Sequence, residues 1–240
     1  METGKEMIFV CGDTHGSLEM RKLNVNNFPQ QKDMTKKDYL IVLGDFGLLW
    51  KSHPDKEEKY WTEWLNDKSF TTLFVHGNHE NMYRLNNLKR VEMFGQKVGK
   101  VSDSIFMLLN GYVYNIDNKK IFVFGGASSI DKASRTEWIS WWKDEIPDFT
   151  TMNFGLDNLF KEKEIDFVLT HTAPRFVIDK YMSDRNISSR FFMDCPVMKY
   201  LNEVSHPMKY KSWWFGHWHD DWDSRCGIYH MLYDRIMQIS

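Results

Sequence analysis

Short apolar runs that stop at glycine-containing turns set the rhythm of this chain. Met7–Cys11 ends at Gly12-Asp13, Tyr39–Leu43 at Gly44-Asp45, and Thr72–His76 at Gly77-Asn78. Further on, Asp166–Thr170 ends at His171 and Trp213–Phe215 at Gly216-His217. Each run is aliphatic or aromatic and bounded by a breaker, which predicts buried strands. The amphipathic stretches between them predict helices. Lys56–Asn66 places Tyr60, Trp61, Trp64 and Leu65 on one face, and Val197, Met198, Leu201 and Val204 recur at helical spacing. The middle breaks this alternation with three strand-like runs, Ile105–Leu109, Tyr112–Ile116 and Lys120–Gly125. Asn110-Gly111 and Asp117-Asn118 separate them, and Asn-Gly is a hairpin signal, so a meander is expected. Alternation, a meander and alternation again predict an α/β fold of mixed sheets covered by helices on their outer faces.

Composition narrows the class. The 240 residues suit one domain over 1–240, without repeats, low-complexity tracts or a linker. The 42% hydrophobic content can fill a sizeable core. No apolar stretch reaches the length of a membrane span, and Met1–Glu6 lacks the features of a signal peptide. A cytoplasmic protein without membrane contact is expected. Cys11, Cys195 and Cys226 are odd in number and show no C-x-x-C spacing, which predicts reduced thiols. The net charge of −2 shows no basic excess of the nucleic-acid-binding kind, though a local basic groove stays open.

The chemistry collects just after the strands. Ligand sites in α/β sheets lie beyond the strands' carboxyl ends, and five ends here carry Asp, Asn or His. Asp13 and His15 are separated by one residue, as are His217 and His219, so each pair can reach one site. Taken singly, these residues read as turn formers and gap fillers. Taken together, Asp13, His15, Asp45, Asn78, His171, His217 and His219 form a donor set of imidazole, carboxylate and amide. That set suits Mn, Fe, Zn or Ni and needs no organic cofactor. Seven ligands exceed one tetrahedral ion and predict two ions sharing a carboxylate, roughly 3.5–4 Å apart. Two divalent ions against Asp13 and Asp45 leave a positive site, which attracts a phosphate ester and supplies hydroxide near neutral pH.

These blocks carry a family resemblance. Gly12-Asp13-Thr14-His15-Gly16, Gly44-Asp45, Gly77-Asn78-His79-Glu80, His171 and Gly216-His217-Trp218-His219 resemble, in order, the calcineurin-like metallophosphoesterases. The resemblance implies a four-layer α/β/β/α sandwich. It implies that Asp13, His15, Asp45 and His219 hold one ion, and that Asp45 bridges to a second held by Asn78, His171 and His217. It also implies that His79 touches the phosphate or protonates the leaving oxygen. The chain departs from relatives that carry Asp-Arg-Gly after the bridging aspartate, since here Phe46-Gly47-Leu48-Leu49-Trp50 follows Asp45. The phosphate-binding arginine and the carboxylate that orients the histidine are therefore absent from that loop. Glu80 is one candidate to orient His79.

Several further readings follow. Arg135 either reaches the substrate phosphate beside Asn78 or is a solvated arginine at a helix start. Arg84, Lys89 and Arg90 read as a solvated helix face, with substrate steering as the sharper alternative. Trp138 and Trp142 are four apart and predict one buried helical face, while Trp50 and Trp218 are candidates to flank the site. His76 reads as a satisfied core histidine. The expected activity is hydrolysis of a phosphomonoester or phosphodiester, on a phosphorylated small molecule, a nucleotide or nucleic acid. The contrasting expectation is a catalytically silent metal-binding or interaction scaffold. Loops 46–60, 81–100 and 126–150 are expected to choose the substrate.

Overall fold

The computed structural model describes residues 5–188, 195–206 and 208–240. The reading of the extreme N-terminus as lacking a leader therefore rests partly on residues 1–4, outside the described part.

Two sheets form the frame. The first holds β1 (Ile8–Cys11), β2 (Tyr39–Leu43), β3 (Thr71–Val75), β4 (Lys89–Met93), β5 (Gln96–Lys100), β6 (Ile105–Leu108) and β13 (Ile236–Gln238). The second holds β7 (Val113–Ile116), β8 (Lys119–Phe124), β9 (Glu164–Thr170), β10 (Lys209–Phe215), β11 (Trp222–Asp223) and β12 (Tyr229–Met231). Their orders are β13-β1-β2-β3-β6-β5-β4 and β11-β12-β10-β9-β8-β7. In the first, β1, β2, β3 and β6 run parallel, and β13, β5 and β4 join antiparallel. In the second, β8, β9, β10 and β12 run parallel, with β7 and β11 antiparallel at the edges. Both sheets are mixed, as expected. β1, β2 and β3 are buried along their whole length. Burial on both faces explains why they read as continuous apolar runs rather than alternating ones.

Three clusters separate the layers. Ile8, Val10, Ile41 and Leu73 from the first sheet meet Tyr114, Val123, Leu169 and Trp214 from the second. The opposite face of the first sheet, with Phe9, Val42 and Phe74, packs on α1 (Lys56–Asn66) through Trp61 and Leu65. The far face of the second sheet, with Phe124, Trp213 and Phe215, is covered by α3 (Phe149–Phe160), α4 (Arg175–Arg185) and α5 (Pro196–Ser205). A short α2 (Met82–Asn86) follows β3. The layers therefore stack as helix, sheet, sheet, helix. Each fully buried Leu, Val or Phe contributes about 1.5–3 kcal/mol, so the three layers of contact carry the fold.

Four expectations are corrected. Asn110-Gly111 does not close a hairpin, because β6 lies in the first sheet and β7 in the second. The tight two-residue hairpins are at Phe94-Gly95 and Asp117-Asn118, all four residues with positive φ. Lys89 and Arg90 stand on β4 and not on a helix face, and Arg84 on α2 forms a two-pronged ion pair with Glu58 (2.6 and 2.7 Å). Trp138 and Trp142 share no helix: Trp138 is 63% exposed, whereas Trp142 is buried. On α1, Tyr60 faces outward while Trp61 and Leu65 face the core. Among the described residues, no helix is long and apolar enough to cross a membrane. Cys11 and Cys195 are buried and Cys226 is exposed, all as free thiols.

Candidate metal centre

The site forms where the carboxyl ends of both sheets' parallel strands meet. Asp13 and His15 follow β1, Asp45 follows β2, Asn78 and His79 follow β3, His171 follows β9, and His217 and His219 follow β10. To turn these side chains inward, the loops adopt an unusual backbone. His15 (φ 42°), Asp45 (φ 45°), His217 (φ 72°) and His219 (φ 49°) are all left-handed. Non-glycine residues there cost free energy and cluster at functional sites. Neighbouring loops hold them in place: Thr14 and His15 donate their N–H groups to the Asp45 carbonyl (3.1 and 2.8 Å). Gly44, Gly77 and Gly216 leave room for the side chains, since a Cβ on them would collide with His171, Asp45 and Asp13 respectively.

All seven expected ligands come together. The combinations able to hold an ion are Asp13 with His15 and His219, His15 with Asp45 and His79, and Asp45 with His171 and His217. Asp45 sits in the middle. Its Oδ2 lies 3.3 Å from His15 Nε2, and its Oδ1 lies 3.3 Å from His171 Nε2. Asn78 Oδ1 is 3.0 Å from His171 Nε2, and His219 Nε2 is 3.2 Å from Asp13 Oδ2. Asp13 Oδ2 is buried, and beyond this His219 contact it has no well-formed hydrogen bond. A buried carboxylate oxygen so poorly satisfied is costly unless a cation completes it, so these residues fit a metal pair.

Outer contacts aim the rings. His171 Nδ1 donates to the Leu43 carbonyl (2.8 Å), which turns Nε2 inward. His15 Nδ1 pairs with Glu19 (2.9 Å), and Glu19 in turn accepts from the Tyr233 hydroxyl. His219 stacks on Tyr233 with centroids 4.7 Å apart. Asn78 Nδ2 donates to Ser129 Oγ (3.1 Å), which donates to Glu145 (2.5 Å), so Asn78 Oδ1 faces the centre. Ser129, Glu145, Glu19 and Tyr233 carry no motif in the sequence. Their partners are 4 to 214 positions away, and only the fold joins them.

Electrostatics within the cluster are strong. Burial works against charge on His15 and His171, but Asp45 outweighs it and lifts both to about 9. Burial also works against Asp13 and Asp45, yet the adjacent histidines hold Asp13 below, and Asp45 well below, the usual carboxylate range. His217 is pushed down to about 3, by burial and then by His171.

His79 stands at the mouth. Its N–H donates to Asp45 Oδ1 (2.7 Å). Arg135 Nη2 lies 3.1 and 3.2 Å from its two ring nitrogens, so the guanidinium stands across the ring. Arg135 is held there by Asp131 (2.7 Å) and the Ser140 carbonyl (3.0 Å). It is not a solvated helix-start arginine: it caps a short 3-10 turn, Lys132–Ser134, and only 14% of its side chain is exposed. Burial and then Arg135 push His79 down, against the pull of Asp45. Trp50 stacks on His79 (5.9 Å) and is braced edge-on by Trp142 (5.2 Å). Trp218 points instead to Thr172 Oγ1 (3.1 Å). Glu80 does not orient His79. It is buried, accepts from the N–H groups of Phe46 (2.7 Å) and Gly47 (3.4 Å), and burial raises it to about 8. His76 is a core histidine satisfied by Asn110 (2.8 Å) and the Gly77 carbonyl (3.1 Å).

A family model described as calcineurin-like phosphoesterase matches residues 7–221. The chain belongs to that family. The match spans every residue of the cluster, from Asp13 to His219. The paired sheets and the His/Asp clusters agree with a calcineurin-like phosphoesterase, a family that typically binds two divalent metals. A search among curated proteins gave no match.

Proposed function

We propose that this calcineurin-like protein hydrolyses a phosphoester at a two-metal centre. The observation that carries the reading is Asp45, whose two oxygens face histidines from different sheets at equal distance (3.3 Å each). A carboxylate so placed can be shared by two ions. Asp13, His15, Asp45 and His219 would hold one, and Asp45, Asn78, His171 and His217 the other. When bound, Mn, Fe, Zn or Ni ions would supply positive charge and bring a water within reach of deprotonation near neutral pH. Asn78 and Arg135 are suited to hold phosphoryl oxygens, with Arg135 offering the fork that the Asp45 loop lacks. His79 faces the same space. The negative charge of a bound ester offsets Arg135 and allows the ring to carry the leaving group's proton.

Residues 1–240 act as one domain in this reading, since both sheets contribute to the centre. The substrate is a phosphorylated small molecule, a nucleotide or nucleic acid. A cytoplasmic setting accords with free thiols. The test is turnover of an aryl phosphomonoester and its diester with added Mn²⁺. Hydrolysis of either supports the proposal. Two bound ions without turnover of any phosphoester would leave a metal-binding scaffold. Asp45→Asn should abolish the two-ion occupancy, read by metal analysis, and with it activity. Retention of both would refute the bridging role.

A further inference from the structure

A cavity of about 470 Å³ opens beside the centre, bounded on one side by His15, His79 and Arg135. That size is usual for small-molecule sites. Its body is apolar, with Leu48, Trp50 and Trp61 as walls and Leu18 at the rim, 81% exposed. Its outer edge comes from the loop before α1 and the helix's first turn, which contribute Lys51, Asp55, Glu57 and Glu58. The one cation there is already committed: Lys51 pairs with Asp55 (2.5 Å) and Glu57 (3.0 Å). Glu58 is taken by Arg84. The outer edge thus sets three carboxylates against Lys51 and Arg84, an excess of one negative charge shared by Asp55 and Glu57, while the inner edge carries Arg135. Loops 46–60 and 126–150 build this cavity, and 81–100 adds no lining residue among those described.

We propose that this cavity receives the organic group of the substrate, and that this group is uncharged or cationic and largely apolar, of aryl to nucleoside size. The inference rests on the phosphoesterase reading, because that reading puts the phosphoryl group at the inner edge. Two features argue for it together. The apolar walls gain from burying a ring, and the carboxylate edge repels a second anionic group. A continuing polyanion, such as a nucleic-acid strand, would carry its next phosphate toward Glu57.

Binding of phosphonates, which are not hydrolysed, tests this without turnover. Calorimetric titration of the metal-loaded protein should show phenylphosphonate binding at least about tenfold tighter than methylphosphonate. A para-carboxylate on the ring should weaken binding, and a para-aminomethyl group should not. Leu18→Asp, at an exposed position, should remove most of the ring's advantage. Glu57→Lys should recover about three- to fivefold for the carboxylate analogue. If both phosphonates bind equally, the subsite is refuted while the metal centre stands. If the carboxylate analogue binds as tightly as the parent in the unaltered protein, the charge argument fails. If neither binds a protein holding two ions, the phosphoesterase reading falls and the subsite with it.

Discussion

In the proposed reading, Arg135 stands in for a missing motif. The Asp45 loop lacks an arginine, and the guanidinium arrives instead from 90 positions later, anchored by Asp131 and laid across His79. Arg135→Ala should lower kcat/KM by about 10- to 100-fold, the usual range for losing a hydrogen bond to a charged group. Unchanged kinetics would remove it from the site. Ser129 acts at one remove, since it keeps the Asn78 amide turned so that Oδ1 faces the centre. Ser129→Ala frees that amide to flip. The expected result is about a tenfold loss of affinity for the second ion, in line with other losses of a ligand's support. Equilibrium dialysis reads it directly, and a purely structural role would lower stability with the affinity unmoved.

The loops that deliver the candidate ligands are tightly constrained. Each loop leaves a parallel strand and turns sharply, with Asp45, His15, His217 and His219 in left-handed conformations. Gly77 is packed directly against the bridging candidate: a Cβ there would collide with both the backbone nitrogen and Oδ1 of Asp45. Gly77→Ala should therefore displace the bridge and abolish two-ion binding, while the far-ultraviolet dichroism of the sheets persists. The same logic explains Asn110-Gly111. Gly111 is needed because a side chain would strike α3 at Gly155, and Asn110 is needed to accept from Gly125 N–H (2.6 Å) and pair with His76. The dipeptide that signals a hairpin here serves a crossing between sheets, and sequence spacing cannot tell the two apart.

For the molecule as a whole, the centre couples metal, protons and stability. His15 and His171 rise to about 9 beside Asp45, so the metal-free protein carries both charged near neutral pH. Ligation requires neutral imidazole, and loading must therefore release protons. Titrating metal at pH 7.5 in buffers of different ionisation enthalpy should show release of roughly two protons. The sign for stability follows. With folded values raised above the unfolded value of about 6.5, these histidines stabilise the metal-free fold fully below that pH. The contribution is lost as pH rises through about 9. The metal-free protein should melt at lower temperature as pH climbs from 7 to 10, and bound metal should flatten that dependence. An equal slope with and without metal would contradict the assignment of these two residues.

The sequence by itself determined the five strands that end at the candidate site and the residues placed after them. Apolar runs stopping at glycine turns are a local signal, and a motif of Asp, Asn and His after each is readable one block at a time. It also determined the bounds of α1, because its amphipathic pattern is local. Tertiary structure alone decided what lies more than one element away. It set which strands share a sheet, it placed Lys89 and Arg90 on β4 where a helix face was expected, and it left Trp138 exposed beside a buried Trp142. It also brought Arg135, Ser129 and Glu145 to the centre from one irregular loop. Periodicity carries no information about contacts between distant segments. Those are fixed by the mutual packing of two sheets, and in this protein that packing assembles the surroundings of the seven candidate ligands.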